Sequence, residues 1–145
     1  MREIGAGKIE QRHLSDDEVQ AIRQLIRGAG GIFDFDAVTK GILEGDWLIY
    51  PIHYEGSIVG GIIRKGADIH TSVAPEFQKK WNPRPYINKI LYPALEEYGE
   101  IRSLSEKSDA RGLRWLQKLG FQIISEDEDH YFLKLTEIKF QYRSK

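Results

Sequence analysis

Along the first third of the chain the apolar residues keep a helical rhythm. Val19, Ile22, Leu25, Ile26 and Ala29 recur at three- and four-residue spacing with polar residues between them, which predicts an amphipathic helix. Ser15 and Glu18 stand ahead of it as an S-x-x-E capping box, in which hydroxyl and carboxylate each accept a backbone N–H. Leu14 and Val19 are placed for a hydrophobic staple across that cap. Gly28, Gly30 and Gly31 predict its end. A shorter helix is expected from Asp36 to about Glu44, with Val38, Ile42 and Leu43 facing inward and Gly45 closing it.

The rhythm then changes. Trp47 to Tyr54 is rich in aromatic and β-branched residues and reads as a strand, and Pro51 inside it restricts that strand to an edge or a bulge. Glu55-Gly56 and Lys65-Gly66 read as hairpin turns. Ser57 to Arg64 and Ala67 to Val73 become the second and third strands of an antiparallel meander. Gly60-Gly61 marks a bulge or a close backbone approach.

Ala74-Pro75 ends the third strand, and Phe77 to Pro85 is a polar, basic loop. A helix follows with Ile87, Ile90, Leu91, Ala94, Leu95 and Tyr98 on one side; Pro93 should kink it and Gly99 stop it. Ile101 to Leu104 is a short strand. Asp109 caps a last helix, in which Leu113, Leu116 and Leu119 are the expected buried stripe and Gly120 the C-terminal stop. Phe121 to Ser125 and Tyr131 to Leu135 are strands around the acidic turn Glu126-Asp127-Glu128-Asp129. Residues 136–145, with Phe140 and Tyr142, form a basic tail that the pattern does not place.

Composition narrows the chemistry. The 145 residues suit one domain. With 21 Lys+Arg against 22 Asp+Glu the formal net charge is −1, so a globally basic nucleic-acid binder is disfavoured and only a local patch remains. There is no cysteine, which removes disulfides, thiolate zinc sites and a cysteine nucleophile. Met1 to Glu10 has no apolar core of signal-peptide length, and no apolar run is long enough for a membrane helix; a soluble, cytoplasmic protein is expected. The histidines His13, His53 and His130 are scattered and no metal-ligand spacing appears, so no metal is expected.

The element order mixes strands and helices in an α/β chain. Within it, the segment DARGLRWLQKLGF, the polar turn after it and HYFLKL resemble the end of the GNAT acetyltransferase family, an Asn-x-x-Ala-x-x-x-Tyr-x-x-x-Gly-Phe helix followed by a β-hairpin. Upstream, IHTSVAPEFQKKW resembles that family's central strand, whose V-x-P end precedes the cofactor loop. The resemblance covers about Asp16 to Leu135. It implies a single GNAT-like domain with its core at about 14–135 and a mixed, mostly antiparallel sheet with helices on both faces. The variant VAPEFQKKWNPRPYINKILYPALEEYG looks closer to GNAT-like proteins of tailed bacteriophages, some linked to head assembly or the virion interior.

In that family the central strand splays from its neighbour to admit the pantetheine arm of acetyl-CoA, and backbone amides of a glycine-rich loop hold the diphosphate. Mapped here, Val73 ends the strand and Gln78 opens the loop, but no glycines follow. Pro83 and Pro85 each remove an amide donor, leaving Lys79, Lys80 and Arg84 to attract an anion by charge or to form a solvated basic loop. The family tyrosine that protonates the departing thiolate falls on Leu116, which has no proton to give; Tyr131 or Tyr92 are the substitutes to consider. The family asparagine falls on Asp109. His70 and Glu76 are the candidates for a general base.

Trp81 among Lys79, Lys80 and Arg84, with Phe77 nearby, has the composition of a protein contact, and ranks that ahead of nucleic acid. Two functions follow. The first is a phage-type GNAT-fold protein with a degenerate acetyl-CoA loop, acting in head or virion assembly through contacts with phage structural proteins by Phe77, Trp81 and Arg84, in the host cytoplasm or the virion and without cofactor. The alternative is an acetyl-CoA-dependent N-acetyltransferase with unusual cofactor contacts.

Overall fold

A computed structural model describes residues 13–31 and 33–139. The expectations for Met1 to Glu10 and for Phe140 and Tyr142 lie outside the described residues. Among the described residues four helices and six strands follow in chain order: α1 (Asp16–Gly28), α2 (Phe35–Glu44), β1 (Leu48–Tyr54), β2 (Ser57–Lys65), β3 (Asp68–Val73), the helix α3, β4 (Ile101–Glu106), α4 (Ala110–Leu119), β5 (Gln122–Glu126) and β6 (His130–Leu135). The α3 helix has three segments, Arg84–Tyr86, a π turn Ile87–Leu91, and Tyr92–Tyr98. The strands are hydrogen-bonded in the order β1-β2-β3-β4-β6-β5. The β1–β2, β4–β6 and β5–β6 pairs are antiparallel and β3–β4 is parallel. This is the mixed, mostly antiparallel α/β sheet that the sequence predicts. Backbone contacts group the described residues into two compact units, one of residues 13–31 and 33–65 with 71–81, the other of 66–70 with 82–139.

In the first unit the caps act as the sequence anticipates. Ser15 Oγ accepts from Glu18 N at 3.1 Å and Glu18 Oε1 from Ser15 N at 2.9 Å, completing the capping box. The helix ends where the sequence expects: Gly28 is the last residue of α1, Ala29 caps it, and Gly30 and Gly31 follow at positive φ. Helix α2 starts at Phe35, one residue earlier than expected, because Asp34 Oδ2 accepts from Ala37 N at 2.9 Å. The core joins Ala21, Ile22 and Ile26 of α1 to Ile42 of α2 and Ile49 of β1, with Leu14, Phe35, Val38 and Trp47 packed around it.

Strand β1 is at the edge of the sheet and its register with β2 shifts between Ile52 and His53. Pro51 is accommodated by edge placement, where its missing N–H leaves no ladder bond unmade. A Cβ on Gly60 would sit 2.5 Å from Ser72 O, and one on Gly61 3.2 Å from Ala21; both glycines serve close backbone approach. Glu55 (φ 50) and Gly56 (φ 84) make the tight β1–β2 turn.

In the second unit Ile101, Leu119, Leu133 and Leu135 are almost fully buried, with Ile87, Ile90, Ala94 and Phe121 also in the core. Pro93 does not break α3. Tyr92 N donates to Ile87 O, five residues back, so the ladder shifts just ahead of the residue that cannot donate. Gly99 stops the helix at φ 78. The α4 stripe needs correcting: Leu119 is buried, but Leu113 and Leu116 are only half-buried. Of the tail, Lys139 N donates to Leu119 O at 2.7 Å, beyond the left-handed Gly120.

Candidate functional site

The exit of β3 is built by contacts within the first unit. Ala74 N donates to Val59 O at 2.8 Å, and the chain then enters a short 3-10 turn, Pro75–Phe77. The amides of Phe77, Gln78 and Lys80 donate to Ala74 O, Pro75 O and Phe77 O at 2.9, 3.4 and 3.0 Å. Val73 is buried, and its carbonyl accepts from Gln78 Nε2 at 3.1 Å. Gln78, expected to open a cofactor loop, thus turns its amide back onto the strand. The Phe77 ring lies 5.8 Å from that of Tyr54, and Lys80 Nζ sits 5.9 Å over the Phe77 ring. Helix α1 approaches closely: a Cβ on Gly28 would collide with Ser72 Oγ and the Val73 carbonyl.

Glu76 meets the end of α1. Arg27 Nη2 donates to both of its carboxylate oxygens at 2.8 Å, while Arg27 Nη1 donates to Gln24 Oε1 at 2.7 Å. The hydrogen bond from Arg27, with that from Glu76's own amide, holds the carboxyl below its ordinary value; burial opposes this slightly, and the charges of Arg27 and Lys80 add to it. A carboxylate so stabilised is a poor proton acceptor at neutral pH, which sets Glu76 behind His70 as a base. Lys79 and Lys80 are exposed and Trp81 is half-buried. Sequence reasoning missed Arg27: 49 positions separate it from Glu76, and no local spacing signals such a pair.

In the second unit, β3 and β4 are bridged at Asp68 and Arg102, with Arg102 N donating to Ala67 O at 2.8 Å and Arg102 Nε to Asp68 Oδ1 at 3.1 Å. Among the described residues of this unit the parallel ladder has that one rung. His70 is half-buried two residues further on. Burial lowers its pKa below 6.5, and the nearby Asp68 charge opposes the shift only in part; the imidazole is neutral at pH 7 and has a lone pair that can take a proton.

The start of α3 answers whether an amide cradle for a diphosphate fits. Pro85 has no N–H and Arg84 N donates to Asn82 Oδ1 at 3.1 Å. Tyr86 N and Ile87 N both donate to Pro83 O, at 3.0 and 2.9 Å. The amides are committed, so a backbone cradle does not fit. Charge remains: the Arg84 side chain is exposed in this first turn, which also shows that Arg84 and Pro85 belong to the helix and not to the loop. Asp109 Oδ1 caps α4 through Gly112 N at 3.0 Å. Tyr92 is 49% exposed, and Tyr131 lies under Lys107 Nζ at 5.2 Å.

His130, scattered from the other histidines in sequence, meets two carboxylates that the sequence pattern does not signal. His130 Nε2 lies 2.9 Å from Glu106 Oε2 and Nδ1 3.3 Å from Asp127 Oδ1, and Asp127 Oδ1 also accepts the amides of Asp129 and His130. Among the described residues, no group of three His, Asp or Glu side chains could hold a metal ion. No helix there is long and apolar enough to cross a membrane.

No family model matches the chain, and no curated protein matches it in sequence. Solved structures do. The ribosomal-protein-S18-alanine N-acetyltransferase of Escherichia coli superposes with a TM-score of 0.64 at 13% identity, covering 88% of this chain and 93% of that one. The PaiA N-acetyltransferase of Thermoplasma acidophilum, in complex with coenzyme A, gives 0.61 at 14%, covering 86% and 96%. The N-acetyltransferase PseH of Campylobacter jejuni, in complex with acetyl coenzyme A, gives 0.58 at 20%, covering 86% and 93%. Such identities speak to architecture alone, and on that level the chain has the fold of the GNAT-superfamily N-acetyltransferases.

Proposed function

We propose that the chain is an acetyl-CoA-dependent N-acetyltransferase in which side-chain charge, not backbone amides, holds the cofactor's diphosphate. The likeness to N-acetyltransferases over nearly the whole chain carries this reading, two of them holding coenzyme A or acetyl coenzyme A. Bound acetyl-CoA supplies an activated acetyl thioester. His70 accepts the proton that an acceptor ammonium must lose before its nitrogen can attack. Lys79 and Lys80 supply cationic donors for phosphate oxygens.

A calorimetric titration with acetyl-CoA tests the reading. Binding in the micromolar range is expected, weakening severalfold between low and physiological salt because exposed charges are screened beyond about 8–10 Å. Absence of binding overturns it.

One observation favours a second reading. Leu116, half-buried, stands where the family's proton-donating tyrosine falls. In that reading the chain is a phage-type GNAT-fold protein of head or virion assembly, working through protein contacts at Phe77, Trp81 and Arg84, and acetyl-CoA gives no heat in the same titration.

A further inference from the structure

The Arg27–Glu76 pair is better suited to exchange than to bracing. Both side chains are about half exposed, and an exposed ion pair contributes only about 0–1 kcal/mol. The turn bearing Glu76 has firmer supports: the Ala74 N to Val59 O bond, the Gln78 side chain on Val73 O, the Phe77–Tyr54 ring contact and the glycine approach at Gly28. The guanidinium is therefore not needed to hold the turn. It is oriented by Gln24 and presents two short donor contacts to a carboxylate, which also feels the positive charge of Lys80. A carboxylate and a phosphate present the same pair of oxygens to an arginine fork.

We propose that Arg27 is a phosphate-binding residue, acting with Lys80, and that Glu76 is its resident counter-ion, displaced when a phosphate or diphosphate group arrives. The acetyltransferase reading identifies the phosphate as the cofactor's; the anion site itself does not depend on that reading. The exchange is a swap of ion pairs. Arg27 keeps its charge, Glu76 is released to solvent as a carboxylate, and Lys80, whose charge already acts on Glu76, is within reach of the incoming anion.

The test is calorimetry on the full chain with inorganic pyrophosphate and coenzyme A as separate probes and pantetheine as the phosphate-free control. Glu76→Gln should tighten pyrophosphate and coenzyme A about two- to fivefold, the factor a surface charge contact gives. Arg27→Gln should weaken both severalfold and cancel the gain in the double variant. Unchanged melting temperatures confirm that each variant is folded. If Glu76→Gln weakens binding as Arg27→Gln does, the pair is a brace and the proposal fails; it fails equally if pyrophosphate affinity ignores both substitutions. A response to pyrophosphate but not to coenzyme A upholds the anion site and removes the cofactor assignment.

Discussion

Two of the ion-paired places among the described residues differ in what pH can do to them. At the exit of β3 the cation is Arg27, which stays charged at any pH the fold survives, and its partner Glu76 is held ionised. At the turn between β5 and β6 the cation is His130, between Glu106 and Asp127. Burial alone would lower the His130 pKa, but the hydrogen bond to Asp127 and the charge of Glu106 outweigh it and raise it above 6.5. The first cluster can be altered only by competing charge, whereas the second is switched off when His130 loses its proton. Similar inventories of charged groups thus give a ligand-sensitive pair in one region and a pH-sensitive one in the other.

The largest effect should come from the scaffold under the histidine region. Leu119 is 1% exposed, and Leu119→Ala should cost about 2–5 kcal/mol through lost transfer energy and the cavity left behind. Half-buried Leu116→Ala should cost clearly less, as denaturant unfolding of the two variants would show. Equal losses would mean that α4 buries both leucines alike.

The arginine region is next. Gly28→Ala brings a methyl against the Val73 carbonyl. The helix-propensity gain of about 0.5–1 kcal/mol is outweighed by overpacking of about 1–3 kcal/mol. The net is a loss of up to about 2.5 kcal/mol, readable in the urea midpoint. A stabilised variant would show that α1 and β3 can move apart freely.

The smallest effect is the titration that separates the regions. A histidine whose folded pKa is raised stabilises fully below its unfolded value and loses that contribution as pH rises through the folded value. Asp127, held low first by the amide of Asp129 and also by those of His130 against a small burial effect, sets the acid limit of the same window. His70, whose pKa burial lowers, works in the opposite sense below about 6.5, so the melting temperature should fall slightly as pH rises from about 7 to about 8, and His130→Gln should flatten that slope. Arg27→Gln should leave it intact.

What the sequence makes legible here is what neighbours along the chain decide. The Ser15–Glu18 box, the Glu55-Gly56 turn, the Asp109 cap and the glycines at 60 and 61 all act locally or through the backbone, and each is where the pattern puts it. Pro83 and Pro85 work in the same way, each removing its own amide donor, whereas the bonds that commit the amides of Arg84, Tyr86 and Ile87 are not legible. Leu113 and Leu116 are harder, because periodicity gives the direction of a face and not the depth to which it sinks. The pairs Arg27–Glu76 and Glu106–His130 join residues 49 and 24 positions apart. Nothing in a linear pattern distinguishes those side chains from any other exposed charges until the strands bring them together. Gln78 could be placed at the loop but not aimed, since its partner is a backbone carbonyl that every residue carries.

Pro51 has a consequence beyond its own strand. An edge strand offers its outward N–H and C=O groups to any other chain that can align with it. In the middle of β1 that row lacks a donor, because the proline ring occupies the nitrogen. A second sheet growing onto this edge would meet a missing rung halfway along a seven-residue strand. Crowded with copies of itself during synthesis, the chain thus has an obstacle to stacking edge on edge written into one residue.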